Sequence, residues 1–260
     1  SLKIMKKNSL NFWSSRAKHK VIAGSNDPYL DKCETDKLIS FIPKSKKKIL
    51  DVGCGTGSFL QKLVKKNKLV KCIGIDFSKE MISVANKKNK NNSINYYTLD
   101  MRNILELKKK LDFKFDYIIT KRSIINILSK NVQLKILDNL GKLLNKNGKI
   151  LSCECSITDQ NNINQHRIKF GLNKISPPWH NLYFSDSVIK RKKFKNIKLI
   201  DIHDFTSTFY FVSRVINALI NKQNKSKLHY SDKLNLIGWK LDQSLIKGFS
   251  QTKIYEFKKK

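Results

Sequence analysis

Residues 49–60 read ILDVGCGTGSFL. An apolar run carries Asp51 near its end and is followed by Gly53, Gly55 and Gly57. Glycine at that density lets a backbone turn left-handed and lets a ligand approach it closely. KKILDVG (47–53) reads as a buried strand, and SFLQKLVKK (58–66) as a helix with Phe59, Leu60, Leu63 and Val64 on one face. A strand, a glycine turn and a helix make a binding place for a triphosphate, a dinucleotide or another nucleoside. A P-loop needs Gly-Lys-Ser/Thr after its spacer, and this chain has Gly57-Ser58-Phe59 instead. The dinucleotide fingerprint G-x-G-x-x-G is one residue longer than Gly53-Cys54-Gly55-Thr56-Gly57. Asp51 would repel a pyrophosphate, but it would accept from an amino group.

Outward from this turn, strands and helices alternate for about a hundred residues. VKCIGID (70–76), INYYTLD (94–100), FDYIIT (115–120) and KILSCEC (149–155) read as strands two to five. SKEMISVANKK (78–88) is a helix capped by Ser78, and NVQLKILDNLGKLLNK (131–146) is an amphipathic one. Beyond residue 156 the rhythm changes. SITDQNNINQHRIKFGLNKISPPWHNLYFSD carries turn residues and aromatics and reads as an insertion or lid. FKNIKLIDIHDF (194–205) is a sixth strand, TFYFVSRVINALI (208–220) an apolar helix, and QTKIYEFKKK (251–260) alternates like a last, edge strand. The pattern predicts an α/β chain with a mostly parallel sheet and helices on both faces. Residues 1–46 form an N-terminal helical cap, and lid insertions follow strands five and six at about 157–186 and 206–250.

The ordered set ILDVGCGTG (49–57), GIDFSKEMISVAN (74–86), YYTLD (96–100), FDYII (115–119) and LLNKNGKIL (143–151) resembles class I S-adenosylmethionine-dependent methyltransferases. The resemblance implies a Rossmann-like seven-stranded sheet with an antiparallel last strand and S-adenosylmethionine as cofactor. It implies that Gly53, Cys54, Gly55 and Gly57 let the backbone approach the methionine and ribose, and that Asp51 helps hold the methionine amino end. Asp76 would accept from both ribose hydroxyls. Phe77 and Met81 would pack on the adenine, Asp100 would accept from its amino group, and Met101 would lie beside the ring. Trp13, Arg16 and His19 resemble the N-terminal helix that folds over the cofactor in many relatives. The turn GSND (24–27) with Pro28-Tyr29 places Tyr29 as a substrate contact.

The acceptor belongs past strands four and five. The Asn/Asp-Pro-Pro-Tyr/Phe motif of planar-amine methyltransferases is missing after strand four, where Thr120-Lys121-Arg122-Ser123 stands. SPPWHN (176–181) lies in the wrong place for it. His180 is the candidate general base, with Trp179, Arg167 and Tyr183 as substrate contacts. His166 shares that insertion. Arg122 suits a phosphate or carboxylate, and Glu154, ending strand five, is expected to face the acceptor. Each has a bland alternative as a packing, cap or ion-pair residue. A looser likeness to bacterial methyltransferases of cell-surface sugars and small metabolites favours a small-molecule or glycan acceptor.

The formal charge of +33 admits a nucleic-acid partner. Nearly all of it is lysine spread along the whole chain, which AT-rich codon usage produces without any site. Five cysteines fall at no ligand spacing, so no metal site is expected, and they fit a reducing cytoplasm. No apolar run reaches the 18 or so residues of a membrane span, and nothing reads as a signal peptide. The first expectation is methyl transfer to an oxygen, less readily a nitrogen, of a small molecule or sugar intermediate. Its rivals are an RNA methyltransferase and a non-catalytic cofactor-binding scaffold.

Overall fold

A computed structural model describes residues 10–17 and 26–260; His19 and Gly24-Ser25 lie outside the described residues. Seven strands form one sheet: β1 Lys47–Val52, β2 Val70–Asp76, β3 Ile94–Thr98, β4 Phe115–Lys121, β5 Leu144–Cys155, β6 Ile197–Asp204 and β7 Thr252–Lys259. Their order is β3-β2-β1-β4-β5-β7-β6. β1 to β5 pair in parallel, and β7 runs antiparallel to both β5 and β6. Strand order reverses between β1 and β4, so the crevice for a ligand opens at the carboxyl ends of those two strands. The glycine turn and the segment after β4 both lie there.

Helices cover both faces. On one, α2 (Pro28–Ser40), α3 (Ser58–Lys66) and α4 (Lys79–Lys88) contribute Leu38, Leu60 and Ile82 to a core shared with β1. On the other, α5 (Glu106–Lys110) and α6 (Lys130–Leu140) contribute Leu107 and Leu137 beneath β4. A first helix, α1 (10–16), precedes them. α7 (Ile157–Lys169) and α8 (Asp186–Arg191) lie between β5 and β6. Between β6 and β7 come α9 (Ser207–Phe211), a π turn at Val212–Ile216, α10 (Asn217–Gln223) and α11 (Lys233–Lys240).

The glycine-turn strands and helices end where sequence periodicity puts them; three other expectations are corrected. The helix expected over 131–146 stops at Leu140, a 3₁₀ turn spans Gly141–Leu143, and β5 begins at Leu144 rather than at 149. Leu143 and Leu144 are apolar for the turn and the sheet, and apolar spacing alone does not separate these uses. Much of the first insertion is helix rather than turns, because Ser156 caps α7 by accepting from Thr158 N–H. β7 is not an edge strand. It lies between β5 and β6, with Thr252 to Phe257 buried, and the edges are β3 and β6. Its charged residues alternate as on a solvated strand, but they are paired. Lys253 Nζ is 2.9 Å from both Asp159 and Asp186. Glu256 is 2.7 Å from Lys149 and 2.8 Å from His203.

Candidate active site

Gly53, Gly55 and Gly57 all take left-handed φ values of 77°, 55° and 75°. The turn is strapped to β2, since Gly53 N–H and Cys54 N–H both donate to Ile75 O. Gly57 also needs its missing side chain, because a Cβ there would lie 2.3 Å from Tyr96 Oη; at Gly55 a Cβ meets nothing within 4 Å. Above the turn opens a cavity of about 230 Å³.

The carboxyl ends of the strands put acids around it. Asp76, ending β2, accepts from Gly55 N–H at 3.0 Å and Ser78 N–H at 2.9 Å. Burial pushes its pKa up to about 6 against those donors. Burial pushes Asp51 up to about 7, with Lys121 opposing and Asp76 assisting. Asp100 accepts from Arg102 Nε at 2.8 Å, so its charge is shared before any ligand arrives. Phe77, Met81, Leu99, Met101 and Val132 supply the apolar wall. Trp13 lines the cavity from α1, and Ala17, just after that helix, packs on Met81.

At the far end stand Lys121, which ends β4, and Arg122, Ser123 and Asn126 in the segment that follows it. Glu154 holds that segment. Its carboxylate accepts from Thr120 Oγ1 at 2.7 Å and from the N–H groups of Ser123, Ile124 and Ile125 at 3.3, 3.1 and 3.4 Å. Burial pushes its pKa to about 7 against those hydrogen bonds. Ser123 Oγ then donates to Val52 O at 2.7 Å, and a Cβ on Gly53 would lie 2.4 Å from Ser123 Cβ.

α2 closes this end with three acids at spacings of four and three. Its N-cap Asp27 binds Arg214 at 2.6 Å. Asp31 bridges Lys121 at 2.6 Å and Lys62 at 2.8 Å. Burial alone would raise the Asp31 pKa, but Lys121 and Lys62 outweigh it and hold it below the usual carboxylate range. Glu34 lies 3.0 Å from Arg122 Nε.

Among the residues expected to form the site, the cavity gathers Asp51, Gly53, Cys54, Gly55, Asp76, Phe77, Met81, Asp100, Met101 and Arg122. Gly57 lies just behind, against Tyr96. Glu154 faces the β4 segment and not the cavity. His180 is no part of the lining: its ring packs 4.5 Å from Phe12, 5.4 Å from Trp13 and 5.3 Å from Trp179. Burial, then Arg16, lowers its pKa. Trp179 is 57% exposed. Arg16 binds Asn26, Arg167 donates to Asn173 O, Tyr183 Oη accepts from Gln251, and Tyr29 stacks on Trp239. His166 Nδ1 lies 3.0 Å from Asn162 O. Sequence reading missed Asp31, Lys121, Ser123 and Asn126. The acid spacing of Asp27, Asp31 and Glu34 was a readable signal for a helix face that meets cations.

A family model described as a methyltransferase domain matches residues 43–197. The chain belongs to the class I S-adenosylmethionine-dependent methyltransferases. Over 106 residues it is 38% identical to an uncharacterized protein of Rickettsia prowazekii (strain Madrid E), covering 41% of this chain and 42% of that one. Over 128 residues it is 33% identical to malonyl-[acyl-carrier protein] O-methyltransferase 1 of Ilyobacter polytropus, covering 48% and 45%. The matches thus span less than half the length of these curated relatives. Magnesium protoporphyrin IX methyltransferase of Synechocystis PCC 6803, solved with S-adenosylhomocysteine, superposes with a TM-score of 0.60 at 12% identity over 98% of this chain and 100% of that one. That likeness shows the fold. The methyltransferase's residues fit the family cofactor: the space above Gly55 is open, and Asp76 presents a carboxylate to it.

The two glycines separate conformation from space. Gly55→Ala should cost about 1–2 kcal/mol, the left-handed φ alone. Gly57→Ala adds the Tyr96 clash and should cost more, about 2–4 kcal/mol. Equal costs in denaturant unfolding would remove the Tyr96 contact as a constraint.

Proposed function

We propose that the protein transfers a methyl group from S-adenosylmethionine to an oxygen, less readily a nitrogen, of a small molecule or sugar intermediate. The observation that carries this is the charge of the cavity. Its lining holds four carboxylates, Asp31, Asp51, Asp76 and Asp100, against three cations, Arg102, Lys121 and Arg122. A site for a polyanion concentrates cations around its mouth. Here the lysines are spread over the outer surface, which argues against the RNA reading. No described helix is long and apolar enough to cross a membrane.

In this reading the glycine turn admits the donor's methionine and ribose, and Asp51 accepts from the amino group. Asp76 accepts from the ribose hydroxyls, and Asp100 takes the adenine amino group between Phe77, Met81 and Met101. The donor brings an electrophilic methyl on a sulfonium. The protein's part is then to align an acceptor with that carbon and keep water away. Trp13 covers the cavity on one side, and α2 closes the far end.

Asp76 gives a pH signature. Ribose hydroxyls donate to its ionised form, so binding favours loss of the proton whose pKa burial raises to about 6. Asp51, which accepts from the amino group and whose pKa burial raises to about 7, links a second proton. Affinity for S-adenosylhomocysteine should therefore level off near pH 8 and fall as pH drops through 7 and 6, by up to about tenfold per pH unit for each linked proton. Asp76→Ala should weaken binding by about 1.5–3 kcal/mol. Calorimetry across pH 5–8 checks both, and unaltered affinity in the variant contradicts the assignment. Binding by the native chain without methyl transfer would revive the scaffold alternative, and absence of binding would contradict the cofactor assignment itself.

The acceptor class is tested by incubating the protein with methyl-labelled S-adenosylmethionine and a deproteinised cell extract split into nucleic-acid and small-molecule fractions. Label in the small-molecule fraction is expected. Ribonuclease-sensitive label in the nucleic-acid fraction would overturn that expectation and make the +33 charge functional.

A further inference from the structure

We propose that the methyl acceptor is a carboxylate, gripped by Arg122 at the far end of the cavity and converted to a methyl ester. The proposal rests on the methyl-transfer reading above and names the chemistry of its acceptor.

Arg122 is one of two non-glycine residues with left-handed φ among those described, at 49°; the other, Lys225, lies on the exposed surface between α10 and α11. That conformation costs an L-residue about 1–2 kcal/mol and persists only where the surroundings fix it. They do so here. Arg122 N–H donates to Cys153 O at 2.8 Å, and Asn126 Nδ2 donates to Arg122 O at 3.1 Å. The side chain is mostly buried, at 17% exposed, yet it lines the cavity. Glu34 pairs with it at Nε, 3.0 Å away, an ion pair without hydrogen-bond geometry. No hydrogen bond among the described residues occupies its terminal Nη groups. A guanidinium that lines a cavity with no hydrogen bond on its terminal nitrogens can offer a carboxylate two N–H groups for two oxygens.

The other cations at this end are committed. Lys121 is held by Asp31 and Thr35, Lys62 by Asp31, and Arg102 by Asp100. Three cations, Arg122, Lys121 and Lys62, stand against the carboxylates Asp31 and Glu34, with Asp51 beyond them on the donor side. A carboxylate therefore enters an environment with positive charge to spare once Asp51 is engaged by the donor's amino group.

A hydroxyl or amine acceptor needs a group to take its proton, and among the described residues this cavity offers none free. Its described lining contains no histidine or tyrosine. Asp31 is tied between two lysines, Glu154 is enclosed by the β4 segment, and burial holds the Cys54 thiol protonated. A carboxylate is already a nucleophile at neutral pH. One of its oxygens uses a lone pair to form the O–CH₃ bond, and the breaking C–S bond leaves its electron pair on sulfur. Sulfonium and carboxylate become a neutral thioether and a neutral ester, and no proton moves. The ester no longer pairs with Arg122, which favours its release.

The test uses a property of esters. The protein is incubated with methyl-labelled S-adenosylmethionine and the small-acid fraction of a deproteinised cell extract, and the product is treated with alkali. Expected is label released as volatile methanol, reduced roughly 10- to 100-fold in Arg122→Gln, the loss of charged hydrogen bonds, and less in Arg122→Lys. S-adenosylhomocysteine affinity should stay near native in both variants. The melting temperature should fall in Arg122→Gln, which leaves buried Glu34 unpaired, and stay near native in Arg122→Lys. Arg167→Ala, away from the cavity, should transfer normally. Label that resists alkali overturns the proposal and leaves methyl transfer standing. So does methanol release undiminished in Arg122→Gln, whereas no transfer by a chain that binds S-adenosylhomocysteine overturns the proposal together with the methyl-transfer reading. A native chain that does not bind S-adenosylhomocysteine fails the underlying reading instead.

Discussion

A single buried carboxylate organises the cavity of this protein. Glu154 is fully buried at the end of β5, and it accepts from one hydroxyl and three consecutive backbone N–H groups. Burying an acid is expensive unless donors surround it, and here the donors are the start of the segment after β4. That segment therefore cannot shift without stranding the acid. Through Ser123 it reaches Val52 O and the underside of Gly53. The glycine turn from β1 and the far end of the cavity from β4 are thus fixed relative to each other by a residue that touches neither the cavity nor anything in it.

Charge is handled in two separate ways. Outside, lysines carry the net +33 and are mostly solvated. Inside, several ion pairs join different elements. Asp27, Asp31 and Glu34 reach from α2 to the π turn, to β4 and α3, and to Arg122. Lys253 ties β7 to α7 and α8. Such buried pairs add little net stability over apolar packing, but removing one partner is costly. Their effect is to set where α2 and the insertions sit over the sheet. Arg122 belongs to this pattern through Glu34, yet it also lines the cavity, and no hydrogen bond among the described residues occupies its terminal nitrogens.

Much of this was legible in the sequence where the signal is local. The boundaries of α3 and β2 follow from apolar periodicity, and Asp51, Asp76 and the glycines follow from strand ends and turn chemistry. What was not legible depends on pairing between distant segments. The alternation of Lys253 and Glu256 looks like a solvated edge until Asp159, Asp186 and Lys149 are placed beside it. The same holds for Glu154, whose partners come from β4. His180 and Trp179 drew notice because SPPWHN is conspicuous, yet their rings pack against Phe12 of α1. Conspicuous residue types mark rigid turns as readily as they mark sites.

The most direct measurement is the affinity of Glu154→Gln for S-adenosylhomocysteine. Glutamine keeps the shape, but it turns one acceptor into a donor facing N–H groups. If Glu154 fixes the cavity through Ser123, affinity should fall roughly tenfold or more in a chain that still folds, although residue 154 lines no part of the cavity. Unchanged affinity in a folded variant would mean that the glycine turn and the β4 segment hold their places independently, and that the buried carboxylate does not organise the site.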